Sequence, residues 1–270
     1  MDPDWLTVSR RATEVIEDLL LEADDRTRVT GSRGEGGDAT LVIDADAEAA
    51  IFRELDALDA RFSAVSEERG EVDYGAAYPR VVIDPIDGST NAKRGLPHHS
   101  VSIAVADGPT MGDVLFGYVY DFGTQEEWHA WRGRGAFLDG AQLERDRPER
   151  RSEDGRFELL GVESSDPRLI QAAGDDLANA AHRLRALGTI AVTLCQVAAA
   201  RLDGMVTLRR SRAVDAAAGQ LIVREAGGVV AFTAYEDPLG APLDTAPRSP
   251  LVAARTPSGL DRLRDVPLAT

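Results

Sequence analysis

The segment Val81-Val82-Ile83-Asp84-Pro85-Ile86-Asp87-Gly88-Ser89-Thr90-Asn91 has the residue types and spacing to do chemistry. An apolar run delivers Asp84 at its end, Pro85 fixes the backbone, and Asp87 emerges three residues later beside a glycine. If Gly88-Ser89-Thr90 opens a short helix, two carboxylates and several free backbone N–H groups share one small volume. Carboxylates are hard oxygen ligands suited to magnesium, and helix N-terminal amides suit a phosphate. A plain Pro-Asp-Gly turn after a strand is the structural alternative. Further acids stand at element ends: Glu67 and Glu68 after FSAVS, Asp215 before AAAGQLIVREAGG, and Asp44 in DATLVIDADAE. Singly, each is a solvated strand end or a helix cap. Together they give the layout of a multi-metal pocket.

These residues must be positioned by the elements around them. Residues 4–24 form an amphipathic helix, with Trp5, Val8, Ala12, Val15, Ile16, Leu19 and Leu20 at three- and four-residue spacing. The glycine-rich stretch 28–40 reads as a loop, and a second helix follows Asp44. Strands are predicted at FSAVSEE, RVVIDP, VSIAVAD, DVLFGYVYDF and EEWHAWR, with RGRGAFLDG closing a hairpin. The charged stretch 144–156 reads as a surface loop between halves. Beyond it come a strand (FELLGVE), helices at DPRLIQAAGDDLANA and TIAVTLCQVAAARL, and a strand (DGMVTL). A helix at AVDAAAGQLIVREAGG, stopped by Gly227 and Gly228, precedes the last strands, GVVAFT and LVAA. This alternation gives an α/β or layered α+β class.

The chain has 270 residues and 43% hydrophobic residues, enough for a large core. Its short, charge-broken apolar runs exclude a bilayer span, and the N-terminus lacks a secretory h-region. Net charge is −16, and Lys93 is the single lysine among 30 basic residues. No basic patch is available for nucleic acid. An acidic, lysine-poor surface points to a high-salt, halophilic cytoplasm, where charge is screened within about 3 Å at molar salt. The lone Cys195 lies in an apolar helix and reads as a buried structural thiol in a reducing compartment.

Other motifs carry little. GEGGDA imitates a dinucleotide loop but precedes its strand. His98 and His99 have no third ligand nearby and read as surface or packing residues. No G-x-S-x-G elbow supports a serine hydrolase.

The ordered set Gly37-Asp38, Asp44, Glu67-Glu68, Asp84-Pro85-Ile86-Asp87-Gly88-Ser89-Thr90-Asn91, Gly188-Thr189 and Asp215-Ala-Ala-Ala-Gly219 resembles the inositol monophosphatase family. Its superfamily also holds fructose-1,6-bisphosphatases and nucleotide 3′-phosphatases. The archaeal-type members acting on both fructose 1,6-bisphosphate and inositol 1-phosphate are the nearest pattern. The resemblance implies a five-layer αβαβα sandwich, one domain over 1–270 with halves near 1–143 and 157–270, and a homodimer. It implies two or three Mg²⁺ ions held by Glu67, Asp84, the carbonyl of Ile86, Asp87 and Asp215. Asp44 would pair with the Ser89 hydroxyl to orient the attacking water. Gly88, Ser89 and Thr90 would cradle the phosphate of a small phosphate ester. Arg185, Gly188, Thr189, Ile190 and Arg209 would meet the rest of the substrate, with Arg209 on a second phosphate. A nucleotide 3′-phosphatase, or a weakly active regulatory binder, is the alternative.

The sequence departs from the pattern at four places. Ser89 replaces a common threonine, and Val214 replaces an aromatic residue before the distal aspartate. Arg33, or nothing, stands for a loop lysine. Leu208 replaces the acid seven residues before Asp215 in the animal enzymes, and Arg209, Arg210 and Arg212 follow it.

Overall fold

The computed structural model describes residues 3–23, 27–33, 39–164, 166–264 and 266. Helix α1 (Trp5–Glu22) begins at the Asp4 cap, whose carboxylate accepts the Thr7 N–H. Strands β1 (Val29–Arg33) and β2 (Ala39–Leu41) pair antiparallel where the sequence predicts only a loop. Helix α2 (Val42–Asp56) starts two residues before Asp44, so that aspartate lies inside its first turn.

Next come β3 (Ser63–Ser66), β4 (Gly70–Asp73), β5 (Arg80–Asp87), α3 (Ser89–Arg94), β6 (Ser100–Ala106) and β7 (Val114–Asp121). They are followed by β8 (Glu126–Trp131), β9 (Gly135–Leu138) and β10 (Ala141–Gln142). These strands form an eight-stranded sheet in the order β10-β9-β8-β7-β6-β5-β3-β4.

Residues 143–156 form a surface connection, as expected. The second half contains β11 (Phe157–Glu163), α4 (Pro167–Ala172), α5 (Gly174–Ala180), β12 (Ala181–Arg185), α6 (Ile190–Ala198), β13 (Gly204–Thr207) and α7 (Ala213–Glu225). It ends with β14 (Val229–Phe232), β15 (Leu251–Ala254) and α8 (Pro257–Leu263). Five strands pair in the order β12-β11-β13-β15-β14. The helix predicted through DPRLIQAAGDDLANA is split at Ala173 into α4 and α5, and the segment after it is strand β12.

The layering follows from which faces are apolar. Helices α1 and α2 cover one face of the large sheet, and α7 covers the other. Helix α6 contacts both sheets, β6 and β7 on one side and β11, β13 and β15 on the other. Helix α8 backs β13, β14 and β15. The order is therefore helix, sheet, helix, sheet, helix. Layer position explains the sequence patterns. The central helices α6 and α7 are buried on nearly all sides, and every residue of α6 after Ile190 is buried. Cys195 is among them. Strand β5 is covered on both faces and is a continuous buried run, not an alternating one. Gly117 of β7 lets the backbone of α7 approach; a Cβ there would stand 2.7 Å from the Ala218 carbonyl oxygen. Among the described residues, no helix is long and apolar enough to cross a membrane.

Candidate active site

The site is assembled where β5 ends. Pro85 donates no ladder hydrogen bond, and the β5–β6 register shifts between Asp84 and Asp87. Asp84 pairs with Ser102 and Asp87 with Ser100, so three steps on β5 match two on β6. In a regular strand, residues three apart point to opposite faces. The extra residue of this bulge turns both carboxylates the same way. The parallel β3–β5 pairing continues through the Glu67 N–H to the Ile83 carbonyl, 3.3 Å, which brings Glu67 beside Asp84.

Gly88 then turns left-handed, φ 90°, and starts α3. A Cβ there would meet the His98 carbonyl oxygen at 3.0 Å and that of Gly188 at 3.2 Å. Asn91 ties the same junction, its Nδ2 donating to the carbonyls of His98 (2.9 Å) and Leu187 (2.7 Å). The histidines are packing residues: His98 Nδ1 meets buried Asp121 at 2.8 Å, and His99 stacks on Phe122.

A cavity of about 430 Å³ is lined by Leu41, Asp44, Glu67, Glu68, Asp84, Ile86, Asp87, Gly88, Ser89, Thr90, Lys93, Gly188 and Arg212. A second, of about 400 Å³, shares Asp87, Thr90, Gly188 and Arg212 with it and adds Thr189, Ile190, Glu163 and Asp215. Together they gather the acids and the Gly88–Thr90 and Gly188–Ile190 segments expected at the site. Arg185 and Arg209 line neither cavity, contrary to their expected place against the substrate. Arg209 Nη2 donates to Asp166 at 2.8 Å, and Arg185 Nη1 to the Leu184 carbonyl at 2.8 Å. Both side chains are exposed, Arg209 reaching across to the loop after β11 and Arg185 bonding the residue beside it on β12. Gly37 and Asp38 lie outside the described residues, as does the side chain of Arg33.

The acids differ sharply in their partners. Asp84 is 1% exposed, and among the described residues neither of its carboxylate oxygens has a hydrogen-bond partner. Burial raises its pKa, and the charges of Glu67, Asp87 and Asp215 raise it further. Asp44 Oδ2 accepts the Leu41 N–H at 3.3 Å, while Oδ1 has no partner among the described residues. Burial lifts Asp44 to about 7, against that bond and with help from Glu68 and Glu67. Asp87 Oδ2 accepts from the Thr189 hydroxyl and from the Ala191 N–H at 2.6 Å, so it also caps α6. Burial and the neighbouring Asp215 still raise its pKa.

Two contacts alter the arrangement expected from the sequence. The Ser89 hydroxyl donates to the Ile86 carbonyl at 2.9 Å and not to Asp44. The reason is local: the hydroxyl, in the first turn of α3, lies over the carbonyl three residues before it. Arg212, whose role the sequence leaves open, sits among the acids. Its guanidinium donates to Glu67 and holds Asp215 through Nη2 (2.8 Å) and Nε (3.2 Å). Burial pulls its pKa down, but Asp215, Glu67 and Asp84 outweigh that and raise it.

Glu163 is a further buried acid that sequence reasoning passed over. It accepts from the N–H groups of Leu187 (3.0 Å) and Gly188 (3.1 Å) and from the Thr193 hydroxyl (2.7 Å). It thereby fixes the turn that presents Thr189. Its only sequence signal was its place at the end of a predicted strand.

The donor set suits a divalent cation. Asp84 offers two buried, unpartnered oxygens, and an uncompensated buried carboxylate is costly. Among the described residues no three acidic, histidine or cysteine side chains converge tightly enough to cage one ion. Arg212 engages Glu67 and Asp215, and the start of α6 engages Asp87.

The comparisons agree with this geometry. The description "Inositol monophosphatase family" matches residues 5–264. A fructose-1,6-bisphosphatase/inositol-1-monophosphatase of Thermococcus kodakarensis is 33% identical over 233 residues, 85% of this chain and 84% of that one. The Nus factor SuhB of Haemophilus influenzae is 33% identical over 234 residues, 85% of each chain. The crystal structure of an inositol monophosphatase–fructose 1,6-bisphosphatase superposes with TM-score 0.82 and 25% identity, over 98% of this chain and 100% of that one. With a profile match over nearly its whole length, the chain belongs to the inositol monophosphatase family, whose members are phosphoric monoester hydrolases.

Proposed function

We propose that the protein is a magnesium-dependent phosphatase of a small sugar or cyclitol phosphate, with fructose 1,6-bisphosphate and inositol 1-phosphate as its substrates. The observation that carries this is Asp84, buried and unpartnered in the wall of a carboxylate-lined cavity beside the Gly88–Thr90 turn. Asp84, Glu67, Asp87, Asp215 and the carbonyl of Ile86 would hold two or three Mg²⁺ ions. When bound, such ions supply Lewis acidity and lower the pKa of a coordinated water.

The chain's own residues do the rest. Asp44, lifted to about 7 and with Oδ1 unpartnered, accepts a proton from the attacking water. Ser89 steadies the Ile86 carbonyl. The amides at the start of α3 receive the transferred phosphate, aided by the free N–H groups of a first helical turn. Gly188, Thr189 and Ile190 border the neighbouring cavity, where the rest of the substrate extends.

The reading extends to one functional unit over 1–270, a homodimer, and a salt-adapted cytoplasmic setting suggested by the −16 charge. The relatives named Nus factor SuhB keep a regulatory binder as the second reading. Phosphate release at high salt tests the proposal, using fructose 1,6-bisphosphate, inositol 1-phosphate and adenosine 3′,5′-bisphosphate with Mg²⁺ or with chelator. Turnover of the first two, abolished by chelator, is expected. Release from the adenosine ester alone would move the assignment to the nucleotide phosphatases. Release from none would favour the regulatory reading.

A further inference from the structure

A bisphosphate ester brings a second anionic group, and something in the site must receive it. Among the described residues, the carboxylate-lined cavity has two cationic side chains in its wall, Lys93 and Arg212. Arg212 is committed to Glu67 and Asp215. Outside the cavity, Arg209 is paired with Asp166, and Arg185 bonds the Leu184 carbonyl. Lys93 is half-buried and has no hydrogen bond or ion pair among the described residues.

Its place on α3 decides what it can reach. It follows Ser89 by four residues, so both lie on one side of the helix, about 6 Å apart along the axis. A phosphate held at the start of α3, over buried Asp84 and Asp87, would leave Lys93 one helical turn away. That suits a different group of the same small molecule.

The composition points the same way. The chain uses arginine for every other base, yet places its single lysine in this wall. An ammonium is a compact charge on a flexible stem with three donors, whereas a guanidinium is a planar fork that pairs readily with the neighbouring carboxylates. Among the described residues, five acids line this cavity: Asp44, Glu67, Glu68, Asp84 and Asp87. A second arginine here would compete for them as Arg212 does.

Building on the phosphatase reading above, we infer that Lys93 is the specificity-determining contact for the second phosphate of a bisphosphate ester. It sets the preference for such esters over monophosphates. The test pairs kinetics with binding, using wild type, Lys93→Met and Lys93→Arg. Lys93→Met is expected to lower the ratio of kcat/KM for fructose 1,6-bisphosphate over inositol 1-phosphate about tenfold, the size of one lost charge-assisted hydrogen bond. The loss should fall mainly in KM for the bisphosphate, and Lys93→Arg should recover part of it.

In parallel, Ca²⁺-loaded protein is titrated with fructose 1,6-bisphosphate and fructose 6-phosphate, and binding is read as thermal stabilisation. Wild type should prefer the bisphosphate, and Lys93→Met should lose that preference. An equal loss for mono- and bisphosphates would overturn the inference, as would an unchanged bisphosphate affinity or no bisphosphate binding by wild type. Lys93-dependent binding of the bisphosphate without turnover of any ester would instead overturn the phosphatase reading and leave the contact standing.

Discussion

Helices α2 and α7 begin alike and end up with different chemistry. Each places an aspartate in its third helical position, Asp44 and Asp215, whose carboxylate reaches back to the N–H of the preceding cap residue. Both are buried. This is half of a capping box, and it fixes each side chain at the helix entrance. At α7 the cap residue is Arg212, so its guanidinium folds onto Asp215 and bridges to Glu67. At α2 the cap residue is Leu41, which brings no charge, and Asp44 Oδ1 is left without a partner among the described residues. One local motif therefore yields a charge-compensated carboxylate in one place and a carboxyl group raised by burial to about 7 in the other. The residue three positions upstream makes the difference.

The sharpest way to break this comparison is to neutralise each aspartate in turn. Asp44→Asn is expected to lower kcat by roughly 10²–10⁴, the usual span for a lost general base, with Mg²⁺ affinity held near wild type. Asp215→Asn should instead weaken Mg²⁺ binding measured by calorimetry, with activity returning in part at higher metal. Equal losses of metal affinity in both variants would erase the distinction.

A second measurement removes the compensating cation. Arg212→Met leaves Glu67 and Asp215 facing each other, partly shielded from solvent. Chelated protein should lose about 2 kcal/mol in urea unfolding, somewhat below the cost of breaking a fully buried pair. The stabilisation given by Mg²⁺ should then grow, because two carboxylates would face the ion without a guanidinium between them. A variant as stable as wild type would mean that the bridge is idle.

The smallest effect is on pH dependence. Asp44, Asp84 and Asp87 have folded pKa values raised above their ordinary carboxylate range. Their contribution to stability is full below the unfolded value near 3.8 and is lost as pH rises through the folded value, about 7 for Asp44. Chelated protein should therefore melt lower at pH 8 than at pH 5, by on the order of a few degrees. Asp44→Asn should flatten that slope. Glu127 acts in the opposite sense on the acid side. Burial pushes it up, but the Arg10 fork holds it at about 2, so its contribution is lost only as pH falls from about 4.5 towards 2.

The strands and helices of both sheets were legible because most of them are long periodic or apolar runs. The β1–β2 pair and β12 were not, and neither were the short strand β4 and the last helix α8. The β1–β2 pair lies in a glycine-rich polar stretch, and the exposed residues of β12, His182–Arg185, carry no burial pattern. The acids were legible from their positions at element ends. Lys93 and Arg212 were not, because a basic residue in an arginine-rich chain gives no local sign that it turns inward. Arg209 shows the converse: near the distal aspartate in sequence, it is held outside by Asp166, 43 residues away along the chain.

What the sequence determined by itself was the layered class and which acids the fold gathers around two adjoining cavities. Burial of apolar runs and the geometry of a Pro-containing strand end leave few alternatives. Only the tertiary structure decided which charges meet. Asp44, Asp84 and Asp215 come from three distant segments, and whether each finds a guanidinium, a lone backbone N–H or nothing depends on how α2, β5 and α7 pack together. Pairing across such distances is a property of the folded surface and leaves no trace in local spacing.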